Sequence, residues 1–387
     1  MLQINPVIVG HACSVTTLAL ERVTLIAVLQ NNRLIRLTRS RWICAKHPAA
    51  ADCKSAASSV ESVSNMNDSV VEKNVEAEYA AARTGAVVIP RPQVGRVRAL
   101  DRDRLDLLHR LSTNALNDLA VGEARATVLT TPLARIVDLL WVLNRGETAL
   151  LVTGVGRATV VRRWLAGYIF YNDRVKFEDA SNALHQFEIH GPQASVIAGT
   201  LLPGAPSLAE NHFIENEDVL VWRSRPLARR GQAYTVIAPP EQLNAVWETA
   251  MVAGATTAGE AAYQLLRIAA GVPGEAELTE DYIPLEANLW PAVSFTKGCY
   301  TGQEIIARME SRGKLARRLC GIKLNAPVSI GAEVRVNETL AGRVTSATLL
   351  PDLGPVALAY LKTALAEPAT PVTIASTAGL VSELPFL

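Results

Sequence analysis

From residue 315 onward the chain carries no helical spacing of apolar residues, and this limits its fold more than any other feature. RRLCGIKL, AEVRVN, LAGRVTSATLL, VALAYL and PVTIAS are short runs parted by turn signals at Asn325–Pro327, Gly331, Asn337–Glu338 and Pro351–Gly354. Short strands at such spacing predict a small antiparallel barrel or sandwich.

Upstream the pattern mixes strands with helices. GAVVIP (85–90) reads as a strand. Asp101 opens a helix in DRDRLDLLHRLSTNALNDL, where Leu105, Leu108, Leu111, Ala115 and Leu119 fall at helical spacing. Strands follow at 124–131, 135–144 and 147–154, and a helix at 156–169. A second round begins with the strand HQFEIHG (185–191) and a short helix, then strands at 218–224 and 233–239 and helices at 240–255 and 259–271. Both rounds run strand, helix, strand, strand, helix, the mark of an internal duplication without sequence identity. A chain of 387 residues exceeds one ordinary core. We therefore expect an α+β protein with a first unit over 85–183, a second over 184–314 and a barrel over 315–387.

Composition removes several function classes. The net charge of +1 gives no bulk attraction to nucleic acid or to a membrane surface, so neither is an expected partner. VTLIAVL (23–29) and LRIAAGV (266–272), the longest apolar stretches, are far shorter than the roughly 20 residues a bilayer requires. Five cysteines (13, 44, 53, 299 and 320) show no CxxC pair and no Cys/His spacing suited to zinc. That fits a reducing compartment and no permanently bound metal. His109, His185, His190 and His212 have no mutual spacing of a metal site or triad.

The leader differs from the rest. Residues 1–47 hold six Lys/Arg and one acid, Glu21, and CKSAASSVESVSN (53–65) is small and Ser-rich. It reads either as an organellar transit peptide or as an upstream extension of a protein that begins near Met66. Disorder is expected over 1–65, and the location is cytoplasmic, or organellar if the transit peptide is real.

One stretch carries chemistry: KGCYTGQE, residues 297–304. Gly298 and Gly302 permit backbone angles closed to other residues and let a ligand approach. Cys299 then sits on a turn, with Lys297 beside it to favour the thiolate, and Tyr300 completes the loop. Gln303 and Glu304 begin a helix, QEIIARMESRGK, ended by Gly313, in which Glu304 and Arg308 are spaced to pair. A single thiol cannot hold an iron–sulfur cluster within one chain. It can give one ligand in a complex, carry sulfur or iron transiently, or act as a sensor; a buried small hydrophobe is the bland reading. Cys320, within RRLCGIKL, reads as core.

The run ELTEDYIPLEANLWPAVSFTKGCYTGQEIIARMESRGKLARRLCG resembles the signature of the YgfZ family, whose eukaryotic counterparts are organellar iron–sulfur assembly proteins. LSTNALNDLAVGEA (111–124) and AGRVTSATLLPDLGPVALAYLK (341–362) extend the resemblance, more weakly, over 85–380. That family shares its fold with the T-protein of the glycine cleavage system, a tetrahydrofolate-dependent aminomethyltransferase. The resemblance implies two mixed α/β units and a barrel around a central opening that takes tetrahydrofolate. It also implies a role in assembling or repairing iron–sulfur proteins, with those proteins or assembly factors as partners. By the same resemblance Cys299 is the functional thiol, and Asn114, Arg267 and Glu286 are folate contacts.

Departures separate the two branches. Aminomethyltransferases carry a Y-T-G-E-x-G-x-E segment whose acid grips the pterin; the matching RRGQAYTVIAP (229–239) has no acid. Tyr263 stands where an arginine is expected, and Ala134–Arg135 replaces a glycine pair. Asp138 does match a family carboxylate. Three readings stay open: an accessory protein of iron–sulfur assembly, an aminomethyltransferase in which Asp138 acts on the amine, and a purely structural folate-fold protein.

Overall fold

The computed structural model describes residues 74–313 and 315–386; the expectation of disorder over 1–65 lies outside them. Two sheets and a barrel organise the chain. The five-stranded sheet runs β3 (Ala124–Thr130), β4 (Ile136–Asn144), β5 (Ala149–Val155), β2 (Val94–Leu100), β6 (Lys176–Asp179). Helices α2 (Arg104–Leu111) and α3 (Ala158–Ala166) cover one of its faces, burying Leu107, Leu108, Val161 and Leu165 against Leu129 and Leu140. Burying each such side chain contributes about 1.5–3 kcal/mol.

The six-stranded sheet runs β11 (Thr256–Thr257), β1 (Val87–Pro90), β7 (His185–Gly191), β10 (Gln232–Ala238), β9 (Val219–Ser224), β8 (Phe213–Asn216). Helices α4 (Ala194–Leu201) and α5 (Pro240–Val252) pack on its outer face through Ile197, Ala198 and Ala250. Trp141, Leu143, Leu220, Trp222 and Ile237 form a core that joins the two sheets. Helix α6 (Glu260–Ala269) meets the helical residues 74–84 (α1) and the barrel wall in a further core holding Tyr79, Leu266, Leu358 and Tyr360.

The barrel is closed, in the order β12 (Arg317–Leu324), β15 (Gly354–Lys362), β14 (Thr339–Leu350), β13 (Glu333–Val336), β16 (Pro371–Ile374), β17 (Thr377–Ser382). Its interior is aliphatic, with Ile322, Val334, Ala359, Leu361 and Ile374 buried. Closure removes the unpaired edges that an open sheet of such short strands would expose. This is the α+β arrangement of two mixed units and a barrel that the strand pattern and the resemblance imply.

Two readings of the sequence are corrected here. Strand β1, read with the first unit, pairs antiparallel with β7 and belongs to the second sheet. The helix read from Asp101 to Leu119 stops at Leu111, because Ser112 is extended (φ −122°, ψ 167°). Thr113 then turns onto β3, its N–H donating to Val128 O at 3.0 Å and its hydroxyl to Ala292 O at 2.6 Å. Leu119 is buried as the spacing predicts, but from a loop, and Leu116 is buried there in place of the half-buried Ala115.

Candidate functional site: an exposed thiol on an anchored loop

The KGCYTGQE loop precedes helix α7 (Gln303–Arg312), which ends at Gly313 in the left-handed region (φ 57°). Tyr300 and Ile306 are buried with Ala134, Ile283, Leu285 and Val293. Gly302 is also left-handed (φ 84°), and a Cβ there would lie 2.8 Å from both Thr131 O and Ala134 Cα. The β3–β4 turn therefore presses against the loop where only glycine fits. Thr130 fastens the same contact, its hydroxyl donating to Thr301 O at 2.6 Å. Gln303 closes the turn through its N–H to Tyr300 O at 3.2 Å.

Lys297 anchors the loop to the chain around α2. Its ammonium donates to the carbonyls of His109, Ser112 and Asn114, at 2.6 Å for Ser112 and 3.1 Å for Asn114, and lies over the Tyr300 ring. It satisfies carbonyls left open at the C-terminal end of α2, where a cation also meets the negative end of the helix dipole. Burial pushes the Lys297 ammonium down to about 8. Burial, and then the Lys297 charge, lower the imidazole of His109.

Two loop expectations are corrected. Gly298 has open space around its Cβ position and does not adopt positive φ, so no geometric demand for glycine exists there. Glu304 and Arg308 are both exposed, and among the described residues no ion pair joins them; each is solvated at low cost. Cys299 is exposed. Cys320 is buried, 4% exposed, in the barrel interior, and burial raises its thiol. Among the described residues no group of three or more His, Cys, Asp or Glu side chains could hold a metal ion.

The three residues assigned to folate by resemblance have their polar atoms on protein partners. Asn114 donates from Nδ2 to Ala126 O (2.8 Å) and Pro291 O (3.0 Å) and accepts from Ala115 N–H. Arg267 spans from α6 to the barrel, meeting Glu277 at 3.3 Å and Ser346 Oγ at 2.9 Å. Ser346 in turn donates to Glu277 Oε1 at 2.6 Å. Glu286 accepts the N–H of Ile283 at 3.2 Å and faces Arg317 of β12 at 3.6 Å, while burial raises its carboxyl.

Asp138 lies within β4 and is 4% exposed. Burial raises its carboxyl to about 6 against the opposing Arg157 charge and Gly154 N–H. Oδ1 accepts from Gly154 N–H at 3.2 Å, and Oδ2 is buried without a hydrogen-bond partner, 3.7 Å from Arg157 Nε. Asp138 pairs across to Leu129, and Trp141 to Ala126, in unbroken register. An odd separation along a strand puts Asp138 and Trp141 on opposite faces.

Trp141 faces a cleft the sequence reading did not find. This cavity of about 260 Å³ is lined by Glu123, Arg125, Trp141, Asn211, His212 and Pro291 among others. Asn211 Oδ1 is buried there without a partner, and Trp222, its ring centroid 4.8 Å from that of Trp141 and tilted by 59°, leaves its buried indole N–H unpaired. Glu123 faces His212 at 3.6 Å and Arg125 at 3.7 Å. No motif marks these residues, because they come together from β3, β4, the turn before β8 and the Trp290–Ala292 turn.

This combination of two mixed units and a closed barrel defines the T-protein class of fold. Residues 45–297 match the model of the GCVT N-terminal domain, and residues 317–386 that of the glycine cleavage T-protein C-terminal barrel domain. The chain belongs to the glycine cleavage T-protein family. A chloroplastic Arabidopsis thaliana protein that bears a transferase name is 32% identical over 332 residues, 83% of this chain and 76% of that one. An aminomethyltransferase of Nostoc sp. is 28% identical over 77% of this chain and 82% of its own length. That of Bacillus subtilis is 26% identical over 78% and 86%. The aminomethyltransferase T structure from Bartonella henselae superposes with a TM-score of 0.74 at 24% identity, covering 81% of this chain and 89% of that one, which establishes the fold.

Proposed function

We propose that this chain is a folate-binding accessory protein of iron–sulfur cluster assembly or repair, acting through the Cys299 thiol. One observation carries the reading: in KGCYTGQE the neighbours that touch the thiol's turn are committed to anchoring it, while Cys299 is exposed. A loop held this firmly presents its sulfur to a visiting cluster, iron or sulfur carrier, or client protein. The chloroplastic name of the Arabidopsis relative supports an organellar location and a transit-peptide role for the basic leader.

The 260 Å³ cleft suits a tetrahydrofolate pterin. Trp141 offers a flat face, while Asn211 Oδ1 and the Glu123 carboxylate offer acceptors to its N–H edge. Glu123 thereby takes the place of the acid that 229–239 lacks. Bound tetrahydrofolate supplies a one-carbon acceptor; the protein's own groups orient its ring.

A second reading, aminomethyl transfer to tetrahydrofolate, has the names of the relatives in its favour. The unpartnered oxygen of Asp138, in a carboxyl raised to about 6, can take or hold a proton near neutrality. Against it stands the strand register, which turns Asp138 to the face opposite the cleft. Incubating the protein with tetrahydrofolate and an aminomethylated lipoyl carrier separates the two. The accessory reading expects folate binding by calorimetry without methylene-tetrahydrofolate above background. Product formation that disappears in Asp138→Asn would establish the transferase.

A further inference from the structure

Between β9 and β10 the chain reads RPLARRG, three arginines within residues 225–230 and no acid. The middle of this loop is anchored, with Leu227 5% and Ala228 7% exposed and Leu227 in the core beside α6. Its end is pinned at Gly231 (φ +91°), where a Cβ would lie 2.2 Å from Gly191 O. On this frame Arg225, Arg229 and Arg230 are exposed. Among the described residues none of the three donates a side-chain hydrogen bond or joins an ion pair, whereas Arg110 and Arg145 are neutralised by Asp173 and Glu215. Arg225 and Arg229 flank a cleft of about 160 Å³ floored by Leu227, Ala228, Ala270 and Pro385.

We propose that this loop docks an acidic segment of a protein partner, with a Glu or Asp carboxylate held between Arg225 and Arg229. The guanidinium fork matches a carboxylate with two parallel hydrogen bonds. The apolar floor suits the aliphatic stem of the side chain that carries it. Nucleic acid fits less well, because three charges on one loop of a chain with net charge +1 fall short of the roughly 6–10 phosphate contacts of a typical binder. The inference rests on this loop and makes no use of the Cys299 thiol.

The test uses the full chain and a fluorescent Glu-rich decapeptide, followed by anisotropy at low salt. A Gln counterpart, a 20-nucleotide RNA and the variant Arg225→Gln/Arg229→Gln/Arg230→Gln complete the set. We expect the acidic peptide to bind, the Gln peptide to bind at least tenfold more weakly, and the triple variant to lose at least tenfold in affinity. Because the three side chains are exposed, its thermal midpoint should match the wild type. Absence of peptide binding, equal binding by the variant or by the Gln peptide, or tighter binding of RNA would each overturn the proposal.

Discussion

The ammonium of Lys297 lies 2.6 Å from the carbonyl oxygen of Ser112, 185 residues away in sequence. That contact fastens the cysteine loop to the end of α2 and explains how a short glycine-flanked turn holds one conformation. Lys297→Met keeps the aliphatic stem but leaves the carbonyls of His109, Ser112 and Asn114 without a donor. We expect a loss of about 1–3 kcal/mol in urea unfolding, and an unchanged midpoint would show that the cage contributes nothing.

The two loop glycines give a paired test. Gly302→Ala places a Cβ at 2.8 Å from Thr131 O with φ at +84°, so about 1–3 kcal/mol should be lost. Gly298→Ala meets open space and should stay within roughly 0.5 kcal/mol of the wild type. Equal effects at the two positions, measured by denaturant unfolding, would contradict the packing described.

Arg267 is the strut between α6 and the barrel. Arg267→Met strands Glu277, which is 0% exposed, without its cation, and should cost about 3–5 kcal/mol. Calorimetry at low temperature should still give a tetrahydrofolate affinity within threefold of the wild type. A large affinity loss in a protein of normal stability would instead make Arg267 a ligand-binding residue.

Asp138 sets a pH dependence whose sign is fixed by its burial. Its carboxyl is raised from 3.8 to about 6, so the folded state binds the proton more tightly than the unfolded chain. The stability this contributes is complete below pH 4 and is lost as pH rises through about 6, roughly 3 kcal/mol in all. Asp138→Asn should therefore match the wild type at pH 4 and exceed it by up to about 3 kcal/mol at pH 7.5. Parallel stability profiles for the two proteins would refute the assignment.

Much of this molecule is legible in the sequence. The tail without helical spacing closes as a barrel because its strands alternate and its turns are marked. KGCYTGQE shows its bend because Gly302 marks the left-handed turn that leads into α7. What stayed hidden depends on contacts distant in the chain. Lys297 reads as a neighbour of Cys299, yet its ammonium finds the end of a helix. Asn114, Arg267 and Glu286 read as ligand contacts, and the fold gives their polar atoms protein partners. The cleft around Trp141 draws residues from four separate segments, none with a local pattern of its own.

The central claim is that the exposed sulfur of Cys299 does the work for which the loop is built. The most direct measurement is complementation of cells lacking this protein by Cys299→Ala, with the activity of cluster-dependent enzymes as the readout. The account predicts a variant that unfolds at the wild-type midpoint yet fails to restore those activities. Full restoration by the alanine variant would remove the thiol from the mechanism.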